Sequence, residues 1–158
     1  MFRIGFSEDI HPFKEGRKLF LGGIEIPYEL GLDGHSDADV VLHAVSEAIV
    51  GAMTYGDLGT LFPDNDPKYK DISSVILLEE VASIMKKEGF KINNIDIQVA
   101  LAKPKLHDYI PLMREKIANI LDTKAINVSI KAMSFNKIGP IGEGKACKAQ
   151  CIVLLKHK

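Results

Sequence analysis

The chain has 158 residues, 46% apolar and 26% charged, which suits one globular domain with a real core and excludes a disordered chain. Its 20 Lys and Arg against 21 Asp and Glu leave a net charge of −1, so neither nucleic acid nor an anionic membrane is an expected partner. No apolar run approaches the roughly 20 residues of a membrane span, and the first residues read as a strand rather than a signal peptide, so a cytoplasmic location is expected.

Residues 2–11 read as a first strand, broken by Pro12 and Gly16. Residues 18–21 and 24–26 read as short strands around the turn Gly22-Gly23. Residues 27–37 read as an irregular loop. A helix is predicted over 38–53, with Ser36 or Asp37 as its N-cap and Val41, Leu42, Val45, Ala48, Ile49 and Ala52 at helical spacing. Gly56, Gly59 and Pro63 enforce a second loop over 56–67. A second helix is predicted over 74–88, capped by Ser73 or Ser74 and ended by Lys86, Lys87 and Gly89.

Residues 90–102 read as a half-buried strand. Asp108 is the expected cap of a third helix that tolerates Pro111 in its first turn and ends near Asp122. Residues 126–132 and 146–156 read as closing strands around a glycine-rich loop, 139–144. The pattern is α+β: a single domain, 1–158, with one mixed β-sheet and helices packed on one face. Cys147 and Cys151 fall on one face of the last strand, badly placed to bridge each other, and read as small buried hydrophobes in a reducing compartment.

Asp9 and His11 are two apart on a strand, so their side chains leave the same face. His43 lies on the predicted helix, with Asp39 one turn before it on the same side, placed to orient the imidazole or meet a substrate. One carboxylate and two imidazoles form the ligand set of a three-coordinate metal site with an open position, suited to zinc or another divalent transition metal. Singly, each residue fits a structural role as well: a helical His as a satisfied core residue, a strand-end Asp as a turn cap. Segments 34–37, 56–59 and 139–144 offer backbone N–H groups to a phosphate, yet none matches a P-loop or a dinucleotide-binding motif.

Taken in order, several segments resemble one family. They are Asp9-Ile10-His11, Gly34-His35-Ser36-Asp37-Ala38-Asp39 with His43 downstream, Gly56-Asp57-Leu58-Gly59, Leu61-Phe62-Pro63-Asp64-Asn65-Asp66-Pro67, Pro104-Lys105 and Asn127-Val128-Ser129-Ile130-Lys131-Ala132. The family is the 2-C-methyl-D-erythritol 2,4-cyclodiphosphate synthases. The resemblance implies metal-assisted cyclisation of a cytidine diphosphate-linked substrate, with CMP leaving, by a homotrimer whose sites lie between subunits.

It also implies zinc on Asp9, His11 and His43, and magnesium or manganese at a second, weaker site. His35 and Ser134 are then the catalytic candidates. Implied substrate contacts are Asp9, Ile10, His11, His35, Ser36 and Asp39, then Asp57, Leu58, Gly59, Phe62, Pro63, Asp64, Asn65 and Asp66. Lys103, Pro104, Lys105, Met133 and Asn136 complete them around the nucleotide.

The chain departs from that pattern after Ala132. Met133-Ser134-Phe135-Asn136 stands where the family has threonines and a magnesium-binding glutamate, and the following loop is shorter and lacks an arginine. A second reading is therefore a diverged zinc- and nucleotide-binding homologue with weak or no cyclase activity.

Overall fold

A computed structural model describes residues 1–158. In chain order its elements are β1 (Phe2–Glu15), β2 (Leu19–Leu21), β3 (Ile24–Ile26), β4 (Leu30–Leu32), α1 (Val40–Ala52), α2 (Leu58–Leu61), α3 (Ser74–Lys87), β5 (Phe90–Ala100), α4 (Ile110–Ile120), β6 (Val128–Met133), α5 (Gly139–Gly142) and β7 (Ala146–His157). Five strands form one sheet in the order β4-β1-β7-β5-β6, while β2 and β3 pair separately as a hairpin. Neighbours are antiparallel except β5 and β6, which are parallel across the α4 crossover. The expected single α+β domain with a mixed sheet is what forms.

The first strand does not break at Pro12. Phe2 to Pro12 pair with β7, and Phe13 to Glu15 pair with β4. Pro12 has no N–H to give, so it stands where the strand changes partner. The expected loop over 27–37 therefore contains a strand, β4. The expected loops over 56–67 and 139–144 likewise contain the short helices α2 and α5.

Helix α1 is the centre of the core. It packs on β1 and β7, and Val41, Leu42, Val45, Ala48 and Ile49 are fully buried. Each of the valines, the leucine and the isoleucine contributes about 1.5–3 kcal/mol by leaving water. The helix crosses β1 so closely that a β-carbon on Gly5 would stand 1.9 Å from the carbonyl oxygen of Ala48.

Neither Ser36 nor Asp37 caps α1. Asp39 does, accepting from the amides of Val41 and Leu42. Asp108 caps nothing either: the N-cap of α4 is Tyr109, which makes no side-chain cap hydrogen bond.

In β5 the inward residues Ile92 and Ile95 are three apart, and a bulge at Asn93 restores the alternation. The helix-free face of the sheet carries exposed Phe2, Ile4, Phe6 and Ile10 on β1 and Ile152 on β7. Both cysteines face the core and are buried and free, as their spacing implies.

Candidate metal centre and substrate pockets

Strand β1 and helix α1 bring the three expected ligands together. Asp9 Oδ2 lies 3.3 Å from Nε2 of His11 and 3.4 Å from Nδ1 of His43. One ligand atom from each falls within 4.8 Å of the others. Asp9 Oδ2 is buried without a hydrogen-bond partner. A buried carboxylate oxygen left unpaired is costly, so its neighbours point to a cation that completes it.

The electrostatics agree. Burial works to raise the Asp9 carboxyl, but the imidazoles of His43 and His11 outweigh it and hold the group below its ordinary value. Burial works to lower His43, and Asp9 outweighs that, holding the imidazole above its ordinary value. Cys147 pairs in register with His11. Burial, then the charges of Asp39 and Asp9, push its thiol up to about 12, so it stays protonated and outside the donor set.

Asp39 is turned into the core. It is fully buried, and its carboxylate accepts from the amides of Gly22 at 3.0 Å and Gly23 at 2.8 Å as well as from the start of α1. The side chain is spent on joining the β2–β3 turn to the helix that carries His43. Ile10 alternates away from Asp9 and His11, so its side chain leaves the opposite face of the sheet and only its backbone adjoins the triad.

A cavity of about 540 Å³ opens beside His43. Of the expected substrate contacts, His35, Ser36, Leu58, Gly59, Phe62 and Asp64 line it. Asp57 and Asp66 serve the backbone of its rim. Asp57 caps α2 through the amide of Thr60 at 2.8 Å, and Asp66 caps the turn at residues 67–69 through the amide of Lys68 at 3.0 Å. Pro63 and Asn65 lie in the same rim outside the lining.

Sequence reasoning missed the far wall, Tyr69, Lys70, Asp71, Ile72 and Leu77. Two contacts fold that wall in: Ser36 Oγ donates to the carbonyl of Ile72 at 2.5 Å, and Asp37 accepts from the Ser74 hydroxyl at the start of α3. Glu47 was missed as well; it accepts from the amide of Leu58 at 3.0 Å and seats α2 beside α1.

The nucleotide candidates assemble elsewhere. Pro104, Lys105, Met133 and Ser134 line a cavity of about 460 Å³. Lys103, Ser134 and Asn136 line an adjoining one of about 550 Å³ with Tyr28 and Glu29. Phe135, Asn136 and Lys137 are three successive non-glycine residues with positive φ, a turn that holds Asn136 beside Ser134. Neither cavity shares a residue with the one at His43. Asp9 aligns across the sheet with Ala149, Val99 and Ala132 in turn. Three strand spacings, about 14 Å, therefore separate the two halves within one chain.

Comparison with known proteins fits this arrangement. The model of the YgbB family matches residues 2–156. The 2-C-methyl-D-erythritol 2,4-cyclodiphosphate synthase of Brachyspira hyodysenteriae is 54% identical over 154 residues, covering 98% of both chains. The solved structure of the bifunctional IspDF from Campylobacter jejuni is similar with a TM-score of 0.93 and 37% identity; the match spans all of this chain and 43% of that one. IspF of Plasmodium falciparum, solved as a CDP complex, is 33% identical with a TM-score of 0.87, over 99% of this chain and 97% of its own.

Proposed function

Because the chain belongs to the YgbB family, we propose that it converts 4-diphosphocytidyl-2-C-methyl-D-erythritol 2-phosphate to 2-C-methyl-D-erythritol 2,4-cyclodiphosphate and CMP, in the non-mevalonate route to isoprenoids. An oxygen of the substrate's own 2-phosphate bonds to the β-phosphorus. The bond from that phosphorus to the bridging oxygen breaks, and its electron pair leaves with CMP. No protein nucleophile is required.

The observation that carries this reading is the buried Asp9 Oδ2, which makes no hydrogen bond and sits between two imidazoles, one of which, His43, lines the 540 Å³ cavity. That donor set fits a divalent transition metal, zinc first, held by Asp9, His11 and His43. When bound, the metal supplies Lewis-acid polarisation of a phosphate oxygen.

The chain's own groups do the remaining work. His35 and Ser134 donate hydrogen bonds to phosphate oxygens as charge builds on them. Phe62, Leu58 and Leu77 exclude water around the methylerythritol carbons, and Asp64 and Ser36 meet its hydroxyls. Lys103, Pro104, Lys105 and Met133 hold the cytidine end. Holding both ends of a flexible substrate supplies several kcal/mol of proximity, by an order-of-magnitude reckoning. Ser134 and Asn136 offer neutral oxygens, and Glu29 and Glu143 line the same cavity, so these residues would hold a second cation, magnesium or manganese, which would neutralise phosphate charge there.

The assembly is a homotrimer in which one subunit's triad faces its neighbour's cytidine pocket. Two features support this: the separation of the halves in one chain, and the exposed Phe2, Ile4, Phe6 and Ile152 on the bare face of the sheet. No helix is long and apolar enough to cross a membrane, and the protein works in the cytoplasm.

The test is direct: incubate the protein with the diphosphocytidyl substrate, Zn²⁺ and Mg²⁺, and follow phosphorus NMR. Equal amounts of CMP and cyclic diphosphate are expected. Linear phosphate release alone would identify a phosphohydrolase instead, and tight CMP binding without turnover a diverged homologue.

A further inference from the structure

We propose that Arg17 is a positioning residue for this reaction, acting through Ser36 rather than on the substrate; the assignment rests on the reading above. Arg17 lies in the turn between β1 and β2. Its Nη2 donates to the backbone carbonyl of Ser36 at 2.6 Å, across nineteen residues of chain. The Arg17 backbone is itself fixed from behind. A β-carbon on Gly31 of β4 would stand 2.5 Å from the Arg17 carbonyl oxygen, so β4 lies directly against the turn.

Ser36 needs such an anchor. It is not glycine, yet its φ is +57°, and Ala38 two residues on has φ +53°. Left-handed backbone at such residues is disfavoured and persists only where surrounding contacts over-determine it. Three contacts do so here: Arg17 on the Ser36 carbonyl, Ser36 Oγ on the Ile72 carbonyl, and Asp37 on Ser74. The guanidinium on the Ser36 carbonyl and the Asp37 carboxylate on Ser74 are both charge-assisted, the stronger type, and only the first holds Ser36 itself.

The placement separates the two roles. Ser36 and Asp71 line both the cavity beside His43 and a smaller hollow behind it, and Arg17 lines the hollow alone. Arg17 therefore grips the outer side of the wall whose inner side carries His35 and Ser36. Losing it frees the loop without touching the metal ligands.

The experiment compares wild type, Arg17→Ala and Arg17→Lys under saturating metal. For Arg17→Ala, kcat per folded molecule is expected to fall about 10- to 100-fold, the worth of one charge-assisted hydrogen bond. Zinc affinity is expected to stay at the wild-type value. Arg17→Lys should recover part of the loss, and added guanidinium ion should restore turnover to Arg17→Ala but not to Arg17→Lys. Amide exchange at residues 35–38 is expected to speed up in Arg17→Ala.

Wild-type kcat in Arg17→Ala, or a loss that follows its unfolded fraction with no guanidinium rescue, overturns the assignment. If the wild type itself makes no cyclic diphosphate, the reaction reading falls. Amide exchange then decides the role of Arg17 alone, and unchanged exchange at residues 35–38 overturns it.

Discussion

His11 and Gly34 meet where a side chain would stand: a β-carbon on Gly34 would lie 2.8 Å from both Nδ1 and Cε1 of the His11 ring. The loop backbone is thus the back wall of this imidazole, and it leaves Nε2 facing Asp9. The loop that carries His35 and Ser36 thus touches a metal ligand at its first residue, so added bulk at Gly34 reaches His11.

Gly34→Ala tests that contact. Gly34 does not need positive φ, so the added methyl acts by crowding and not by backbone strain. Overpacking costs about 1–3 kcal/mol, and here it falls on the orientation of His11. Zinc affinity, measured by competition with a chromophoric chelator, is expected to drop roughly 5- to 100-fold by that energy. An unchanged affinity would mean that His11 moves freely and is not held by the loop.

Metal binding is expected to release a proton in mildly acidic solution. Without metal, burial disfavours the His43 cation, but Asp9 outweighs that and holds the group above its ordinary value, so His43 stays protonated to higher pH than a free imidazole. A metal needs the neutral ring and must expel that proton. Asp9 is held below its ordinary value and releases none at neutral pH.

Calorimetry in two buffers of different ionisation heat should therefore find at least the one proton of His43 released below about pH 6.5, the unperturbed value. Release should vanish well above the raised one. The apo protein slopes the other way: the stability from the His43–Asp9 pair is complete below the unfolded His value and is lost as pH rises through the raised one. Buffer-independent heats at acidic pH would remove His43 from the ligand set.

The triad was legible in the sequence because its geometry is periodic. A spacing of two puts Asp9 and His11 on one face of a strand, and the apolar repeat around His43 fixes the side of α1 that meets that face. The same periodicity should have warned against Ile10, whose side chain must leave the other face. The tie from Asp39 to the β2–β3 turn was not legible, because i,i+4 spacing to His43 says nothing of the amides at Gly22 and Gly23, which reach its carboxylate from another element. The Tyr69 to Ile72 wall was illegible for a like reason. Its approach depends on Ser36 reaching Ile72 and Asp37 reaching Ser74, contacts between distant segments that no local pattern encodes. β4 is only three residues long, and its partner is the part of β1 beyond a proline, where local signals favour a loop.

Asp39→Asn separates a structural role for that residue from substrate contact. Oδ1 accepts from Gly22, Val41 and Leu42, and Oδ2 from Gly23. An amide places N–H groups against one of these donors and leaves a buried amide unpaired, at about 1–3 kcal/mol. The melting temperature is expected to fall by roughly 2–12 °C for a chain of this size, with KM little changed in the folded fraction. An unchanged melting temperature with turnover abolished would place Asp39 on the substrate after all.

A shared site makes two different dead enzymes rescue each other. His43→Ala removes a metal ligand and leaves the cavity at Ser134 intact; Ser134→Ala does the reverse, because the two cavities have no residue in common. Each variant alone is expected to lose most turnover. Co-refolded in equal amounts, two chain types assort at random around a closed ring. About a quarter of the interfaces then join an intact triad to an intact cytidine pocket. Turnover near that fraction of wild type is expected from the mixture. Phe6→Asp, placed on the bare face where Phe6 pairs with Ile152, should sediment as a monomer, bind zinc normally and fail to cyclise. Without rescue in the mixture, or with full turnover from a monomeric Phe6→Asp, each chain must close its own site across the 14 Å or so that three strand spacings impose.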